Sequence, residues 1–228
     1  MATKISKRIT EAYKKVEEGK AYPLKDAVTV VGQMPKTKFN ETVELHFHLG
    51  IDTKDSDQNV RGTIVLPNGT GKTVRVAVIC QGDNIAKAKN AGADYVGGMD
   101  LIEKIDKEGF LDFDCIVATP DMMKDLSKLG KVLGPRGLMP SPKAGTVTPD
   151  VERALREVKA GRVEFKSDKQ GGVHLGIGKR SFTDEQIISN AQVVIDSISH
   201  AKPASVKGVF IKSVYLSSTM GAGVKVAI

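Results

Sequence analysis

The sequence contains no tryptophan, two cysteines and only 5% aromatic residues. Because Cys80 and Cys115 each lie within an apolar run, we expect buried, reduced thiols rather than a disulfide framework or a zinc site. No window approaches the roughly 18 consecutive apolar residues of a membrane-spanning helix, so we expect no membrane partner. Residues 1–8 carry charges with no apolar run behind them, which argues against a secretory signal and favours the cytoplasm.

Positive charge is in excess. The 228 residues include 34 Lys and Arg against 27 Asp and Glu, giving a formal net charge of +7. A chain of this length can form one or two domains, and its 40% hydrophobic content is typical of a globular protein. A basic protein favours an anionic partner, but the argument depends on where the charge lies along the chain.

The middle of the chain alternates strands with helices. The pattern predicts strands over residues 73–80, 94–96 and 114–118, and helices over residues 83–91, 99–107 and 121–133. This alternation is typical of βαβ units with a parallel sheet and right-handed crossovers. Thr148 as N-cap and Pro149 at the first helical position predict a closing helix that ends near Lys159.

The two flanks follow a different pattern. A helix is predicted over residues 23–34, and strands over residues 61–66, 209–216 and 223–228. Residues 41–49 alternate with period two, so one strand face carries Val43, Leu45, Phe47 and Leu49. Residues 162–166 and 172–175 are predicted to form a hairpin. A capping box at residues 183–186 begins an amphipathic helix with apolar residues on one face: Ile187, Ile188, Ala191, Val194, Ile195 and Ile198.

Each flank alone is marginal as a domain, so we expect them to combine. The predicted organisation is a discontinuous α+β domain, residues 1–68 and 159–228, interrupted by a parallel α/β insert, residues 69–158. The insert has 13 basic and 13 acidic side chains, whereas the two flanks carry net charges of +2 and +5. A surface that binds a polyanion is therefore expected on the discontinuous domain.

Nucleotide motifs fail in detail. Residues 68–73 resemble a phosphate loop, but Leu66 stands where the first glycine is needed, and a strand follows instead of a helix. A turn or hinge is the favoured interpretation. The dinucleotide fingerprint is also missing, because residues 81–84 contain one glycine where three are required. A nucleotide-dependent enzyme that uses the insert remains the alternative hypothesis.

Catalytic and metal-binding patterns are sparse. His46 and His48 share a strand face, but no third ligand is apparent, so structural or solvent-facing histidines are favoured over a metal site. No nucleophile elbow, metalloprotease helix or paired Cys and His is present. We therefore predict a protein that is not an enzyme and has no cofactor.

Two Gly-rich segments stand out. Residues 130–145 combine Gly, Pro and basic side chains in one long connection, which is either a functional loop or a rigid surface loop. Residues 217–223 place small hydroxyl residues beside Met220 and glycines, which permits either close approach of a flat partner or a simple hairpin turn.

Six blocks of sequence now support a family resemblance. They are Lys38–Glu44, Asp57–Thr63, Gly92–Gly98, Leu133–Pro140, Pro142–Val147 and Ser213–Gly221. In this order and spacing, over essentially the whole chain, they resemble the bacterial large-subunit ribosomal protein L-one family, the protein of the mobile stalk. The family architecture is a split α+β domain with an antiparallel sheet and helices, holding a Rossmann-like parallel α/β/α insert.

The resemblance implies that the split domain binds RNA. Its contact residues carry over onto Lys38, Phe39, Thr42, Glu44, Asp168, Ser213, Thr219, Met220 and Gly221. Lys38 would neutralise a phosphate, and Phe39 offers a face for a ribose or base. Glu44 and Asp168 are suited to accept hydrogen bonds from 2′-hydroxyl or base amino groups. No strand is rich in aromatic residues, so recognition by shape and hydrogen bonding is expected.

The resemblance also implies the partners. They are the stalk region of large-subunit ribosomal RNA, the exit-site transfer RNA whose release the stalk assists, and the protein's own messenger RNA, which it represses. The protein would act as a monomer within the large ribosomal subunit in the cytoplasm. Residues 67–71 and 159–161 would form a hinge between the two domains.

Overall fold

A computed structural model describes residues 6–17 and 19–227. The chain divides into two compact units, residues 1–71 with 163–228, here called the split unit, and residues 72–162, here called the insert. The sequence analysis placed the two breaks at 68/69 and 158/159. The assignment of separate functional roles to the two units stays a prediction.

The helices are α1 (Lys7–Lys14), α2 (Leu24–Gln33), α3 (Asn84–Asn90), α4 (Met99–Glu108), α5 (Met123–Leu126), α6 (Gly130–Leu133), α7 (Val151–Lys159) and α8 (Asp184–His200). The strands are β1 (Thr42–Leu49), β2 (Arg61–Val65), β3 (Val76–Ile79), β4 (Tyr95–Gly97), β5 (Cys115–Ala118), β6 (Arg162–Lys166), β7 (Gly172–Lys179), β8 (Ile211–Ser218) and β9 (Val224–Val226). Short 3-10 helices lie at Ser56–Gln58, Pro120–Met122, Ser127–Leu129 and Pro142–Ala144. Within the described chain, no helix is both long enough and apolar enough to cross a membrane.

An antiparallel four-stranded sheet forms the centre of the split unit, in the order β7-β1-β8-β9. Alternation along β1 is confirmed: Val43, Leu45, Phe47 and Leu49 are all buried. Helices α2 and α8 pack on this buried face and contact each other. The opposite face carries the even-numbered residues of β1, because successive side chains of a strand point to opposite sides.

The amphipathic helix α8 begins as predicted. Thr183 Oγ1 accepts a hydrogen bond from the Gln186 backbone N–H, and the Gln186 side chain accepts one from the Thr183 N–H, so the capping box is complete. Its predicted apolar face is confirmed in the core, except that Ile188 is only partly buried. Buried Asn190 on this helix binds the backbone of Asn68 and Gly69, which fixes the turn that replaces the rejected phosphate loop.

The predicted hairpin between residues 162–166 and 172–175 is wrong. Strand β6 pairs with β2 in a separate two-stranded sheet, whereas β7 pairs with β1. Packing of Phe165 over Gly62 explains why β6 pairs with β2 and not with β7. A Cβ at Gly62 would lie 2.6 Å from the Phe165 ring, so the missing side chain of β2 makes room for the buried ring of β6.

The insert contains a three-stranded parallel sheet in the order β4-β3-β5. Strand β3 is fully buried, as its continuous apolar run predicts. Ala77 and Ile79 face one core with α4 and the segment 120–133, while Val76 and Val78 face a second core with α3 and α7. The α/β/α layering of the insert is thereby confirmed.

Two details of the insert differ from prediction. Residues 121–133 do not form one regular helix but a series of short α and 3-10 turns. The Ser127 hydroxyl donates to the Met123 carbonyl, and Gly130 has low helix propensity, so both weaken a continuous helix. The closing helix α7 is capped by Asp150, whose Oδ1 accepts from the Arg153 N–H at 3.2 Å, and not by Thr148 and Pro149.

Further expectations need correction. Helix α1 was not predicted, and its Ala12 is fully buried in the core of the split unit. The segment 130–145, predicted as one long loop, contains helix α6 and a 3-10 helix at Pro142–Ala144, and its Leu133, Leu138 and Met139 pack in or on the insert core. Cys80 is buried and free as expected, and burial raises the pKa of its thiol. Cys115 is likewise outside any disulfide and is only partly buried.

A buried ion pair joins distant parts of the split unit. Glu41 Oε2 lies 2.6 Å from Arg180 Nη1, and the Glu41 side chain is 1% exposed. Oε1 of Glu41 accepts hydrogen bonds from the Ser218 hydroxyl and the Met220 N–H, both at 3.1 Å. Arg180 also donates to backbone carbonyls at the end of α2, including those of Gly32 and Met34.

These contacts fasten three segments together: the end of α2 with the chain that follows it, the end of β7, and the end of β8. Burial acts to raise the pKa of Glu41. The hydrogen bonds from Arg180, Met220 and Ser218, together with the positive charge of Arg180, outweigh it and hold the pKa below its usual range. Glu41 is therefore a buried carboxylate that stays ionised at neutral pH.

We expect Arg180→Met to destabilise the split unit by about 3–5 kcal/mol, because it leaves the Glu41 carboxylate buried without its partner. Native-state hydrogen exchange at β1 amides measures this free energy for the split unit alone. Arg61→Met is the matched control. Arg61 pairs with Glu164 on the surface of the same unit, so its loss should cost less than about 1 kcal/mol. Equal effects of the two variants would contradict the account.

The lowered pKa of Glu41 predicts an acid dependence of stability. Since the folded-state pKa lies below the unfolded value, near 4.5, its contribution is complete above that pH and is lost as the pH falls through the folded-state pKa. We therefore expect the stability difference between the natural protein and Glu41→Gln to be constant from pH 7 to 5 and to shrink below about pH 4.5. A difference that does not change down to pH 3 would show that Glu41 is not the titrating group.

Candidate nucleic-acid interface

The face of the four-stranded sheet opposite α2 and α8 is polar. Its side chains, here called the open face, are Thr42, Glu44, His46, His48, His174, Ser213, Tyr215, Ser217 and Lys225, with Gly176 adding a flat patch. All of them are partly or fully exposed. Because serine, threonine and glycine project little, backbone and hydroxyl groups are accessible to a broad partner.

One end of the open face collects seven of the nine predicted site residues. Phe39 is 54% exposed and Met220 is 48% exposed, although each is a large apolar side chain. Phe39 forms one wall of a shallow depression, which is also lined by Lys36, Thr37, Asn40 and Ser181. Lys38 is exposed, and within the described chain its amine has no ion-pair partner. This end, residues 36–44 with 217–221, is called the loop end below.

Thr42 and Thr219 form hydrogen bonds with each other. Thr219 Oγ1 accepts from the Thr42 N–H at 3.0 Å, and the Thr219 N–H donates to the Thr42 carbonyl at 3.0 Å. The Thr42 hydroxyl accepts from Lys179 Nζ at 2.9 Å. These bonds extend the pairing of β1 and β8 into the loop, so the two threonines set the backbone on which Met220 is presented.

Gly221 is required by close packing. A Cβ there would lie 2.5 Å from the Ser218 hydroxyl and 3.2 Å from Met34 Sδ. The Ser218 hydroxyl is the group that donates to Glu41, so a side chain at position 221 would displace a ligand of the buried carboxylate. The absence of a side chain at Gly221 therefore allows the loop end to pack closely against Ser218 and Met34.

Histidines occupy the middle of the open face. The Nδ1 atoms of His46 and His174 are 2.9 Å apart, and His46 Nε2 is 2.9 Å from the Ser217 hydroxyl. Burial and the neighbouring His174 lower the pKa of His46, although Glu44 opposes this. Glu44 Oε2 lies 3.9 Å from His46 Nε2, and within the described residues its Oε1 has no hydrogen-bond partner. His46 is thus a neutral ring at pH 7.

The two remaining predicted residues lie at the opposite end of the open face. Ser213 on β8 pairs with His48 on β1. Asp168 precedes β7, in the turn before Gly172. Thr42 and His48 are six residues apart on β1, so the two ends are separated by about 20 Å. Three of the nine positions, Thr42, Glu44 and Ser213, therefore lie on the open face itself, and the other six lie at its two ends.

Asp168 has a structural task of its own. Its Oδ1 accepts from the backbone N–H groups of Gly172 and Gln170, at 2.6 and 2.8 Å. These two hydrogen bonds are the main reason that the pKa of Asp168 is lowered, and His174 contributes as well. Oδ2 points toward His174 Nε2 at 3.7 Å. Only this oxygen is placed to accept a hydrogen bond from a partner.

Sequence reasoning missed several important residues. His174 and Tyr215 follow from the alternation of β7 and β8, and that signal was available in the sequence. Glu41 and Arg180 are 139 residues apart, and no local pattern indicates that they meet.

The open face has the chemistry of a binding surface rather than of a catalytic site. In the described chain, no group of three or more His, Cys, Asp or Glu side chains is placed to hold a metal ion. Hydroxyl, imidazole and carboxylate groups supply hydrogen-bond donors and acceptors over a flat area, while exposed lysine and two apolar side chains lie at the loop end.

Curated proteins similar to this chain include two from the genus Thermosipho. The proteins called "Large ribosomal subunit protein uL1" from Thermosipho melanesiensis and Thermosipho africanus are each 54% identical over 223 residues, which cover 98% of this chain and 96% of theirs. The likeness thus extends over both the split unit and the insert.

Residues 31–222 match the sequence model described as "Ribosomal protein L1p/L10e family". The resemblance proposed from the six sequence blocks is confirmed, and with it the prediction of a ribosomal protein in the cytoplasm rather than an enzyme. The chain belongs to the ribosomal protein L1p/L10e family.

Proposed function

We propose that this protein binds the stalk region of large-subunit ribosomal RNA through the open face and its loop end. The observation that carries the proposal is that three of the nine sequence-predicted contact positions lie on one polar face of the split unit and the other six lie at the two ends of that face. Membership of a ribosomal protein family and the two relatives named as large-subunit proteins support this target.

The distribution of charge supports the same surface. The insert, residues 72–162, carries 15 basic and 13 acidic side chains, whereas the split unit carries a net charge of +5, so most of the basic excess lies on the split unit. Lys38 at the loop end has an exposed amine, with no ion-pair partner among the residues that the structure describes, which can neutralise one phosphate. Long-range attraction of RNA would therefore orient the split unit toward it.

Hydrogen bonding gives the surface its preference for RNA. Glu44 and Asp168 each keep a carboxylate oxygen that can accept from a 2′-hydroxyl or a base amino group. Ser213 and Ser217 add hydroxyls that both donate and accept. A rigid sheet that presents these groups selects a folded RNA by shape, whereas stacking of several splayed bases would need more aromatic side chains than the open face has.

Two finer roles follow from the same surface and stay proposals. As part of the mobile stalk, the protein would assist release of exit-site transfer RNA, with the insert moving about residues 67–71 and 159–161. A messenger RNA of its own that imitates the ribosomal site would occupy the same open face, so ribosomal and messenger RNA would compete. The protein would act as a monomer within the ribosome.

We expect Met220→Glu to weaken binding of the stalk RNA by about 1–3 kcal/mol, because it places a negative charge against the RNA and removes an apolar contact. The side chain is 48% exposed, so the thermal midpoint should not change. Val209→Glu introduces the same charge at an exposed apolar residue outside the site and serves as the control. The proposal fails if both variants bind stalk RNA as the natural protein does.

Lys38→Gln should reduce the salt dependence of binding by about one unit of log Kd against log salt, since one phosphate contact is lost. The weakening should be similar for specific and unrelated RNA. Lys124→Gln changes the net charge equally but lies on the insert, and we expect no change in slope. Filter binding at four salt concentrations measures the salt dependence of RNA binding for both variants. Identical slopes for the natural protein and Lys38→Gln would show that Lys38 does not contact phosphate.

A further inference from the structure

A cavity lies at the edge of the open face farthest from β7. It has a volume of about 490 Å³ and is lined by Tyr13, Val16, Glu17, Gly19, Lys20, Tyr215, Gly223 and Lys225. Helix α1 and the residues after it form one wall, and strands β8 and β9 form the other. None of the nine predicted contact positions lines this cavity.

The two walls are held together by Tyr22. Its N–H donates to the Lys225 carbonyl at 2.9 Å, and its carbonyl accepts from the Ala227 N–H at 2.8 Å, so this residue adds to the edge of β9. The Tyr22 hydroxyl accepts from the Glu17 N–H at 3.0 Å. The segment behind α1 is therefore fixed against the sheet, and the cavity is a built feature of the split unit.

Two aromatic rings, those of Tyr13 and Tyr215, line the cavity. Tyr13 is 58% exposed and Tyr215 is 39% exposed. Within the described chain, neither ring packs on another aromatic ring and neither hydroxyl makes a hydrogen bond. Exposed tyrosine on both walls of one cavity is the arrangement in which a planar base can stack. Gly223 leaves the flank of the Tyr215 ring open, because a Cβ there would lie 3.8 Å from it.

Positive charge adjoins the rings. Tyr215 and Lys225 are directly opposite each other on β8 and β9, so their side chains lie side by side on the same face. The Lys225 amine has no ion-pair partner in the described chain. Lys20 pairs with Glu17 at 2.9 Å and lies 5.1 Å from the centre of the Tyr22 ring. Among the residues that the structure describes, the cavity therefore has one unpaired cation, Lys225, beside its aromatic surfaces.

We propose that this cavity binds one nucleotide, with the base against Tyr13 and Tyr215 and the phosphate on Lys225. The volume falls within the range of small-molecule sites, about 300–1,000 Å³. The nucleotide is either a free mononucleotide or a single unstacked residue of an RNA chain, since both present the same base and phosphate. Tyr215 and Lys225 also belong to the open face, but none of the nine contact positions lines the cavity, so nucleotide binding can be tested apart from the proposed ribosomal RNA interaction.

The test uses the full chain with adenosine and uridine 5′-monophosphate, adenosine without phosphate, and single-stranded hexamers of A and U. Binding is measured by calorimetry and by fluorine NMR of protein labelled with 3-fluorotyrosine. The sequence has four tyrosines, so each gives one signal. We expect the signals of Tyr13 and Tyr215 to shift on addition of nucleotide, while Tyr95 in the insert stays unchanged.

Variants assign the roles. Tyr13→Ala should weaken binding of the monophosphates and of adenosine at least fivefold. Lys225→Gln should weaken the monophosphates but not adenosine, whereas Lys212→Gln, an exposed lysine on the same sheet, should change neither. Tighter binding of a hexamer than of a monophosphate, with the same dependence on Tyr13, identifies an RNA residue as the occupant. Equal or tighter binding of the monophosphate identifies a free nucleotide.

The proposal is overturned if no probe binds at millimolar concentration, or if binding occurs but is unchanged by Tyr13→Ala. Binding of the stalk RNA is measured in parallel on the same samples. Loss of nucleotide binding with intact stalk RNA binding overturns the cavity proposal alone. Failure of stalk RNA binding with intact mononucleotide binding overturns the proposed function alone.

Discussion

A carboxylate and a guanidinium buried together, at Glu41 and Arg180, hold the two segments of the loop end against each other and against the ends of α2 and β7. Burying a charge is expensive, and the pair is maintained because every oxygen of Glu41 has a donor and Arg180 also reaches backbone carbonyls. Replacement of such pairs by apolar residues can leave a protein just as stable. Its value here is positional, since it fixes the backbone of Met220 relative to β1.

The binding surface depends on that position. Thr219 extends the pairing of β8 with β1, and Gly221 permits the Ser218 hydroxyl to reach Glu41. Met220 is thereby presented outward on a short, hydrogen-bonded loop instead of a mobile one. A preorganised surface loses little entropy on binding, so a flat interface with few charges can still recognise its partner. Preorganisation also explains how two carboxylates are tolerated opposite a polyanion. Asp168 is fixed by its own turn, and Glu44 lies beside a histidine.

Local patterns predicted much of this molecule. The alternation in residues 41–49, the capping box at Thr183 and the apolar run of β3 each describe an element whose burial depends on its own sequence. Interactions between distant segments were not predictable in this way. The partner of β6 is decided by Phe165 packing over Gly62, and helix α1 forms because Ala12 fits a core assembled from the rest of the split unit.

The candidate site likewise combines features that local sequence patterns predict with features that depend on contacts between distant segments. The nine positions came from a family resemblance, and the open face that carries three of them, with the other six at its ends, follows from the period-two pattern of β1. The roles of individual residues could not be predicted, because they depend on contacts across the fold. Thr42 and Thr219 hydrogen-bond to each other, Gly221 packs closely against Ser218, and Asp168 accepts hydrogen bonds within its own turn. Only the folded chain separates residues that present a group to a partner from those that hold the presenting residues in place.

Hydrogen exchange of the full chain, free and bound to stalk RNA, tests the central claim most directly. Binding through the open face predicts slower exchange in residues 38–48, 168–176 and 213–221, with no slowing in the parallel sheet of the insert. Protection confined to the insert, or spread equally over both units, would contradict it.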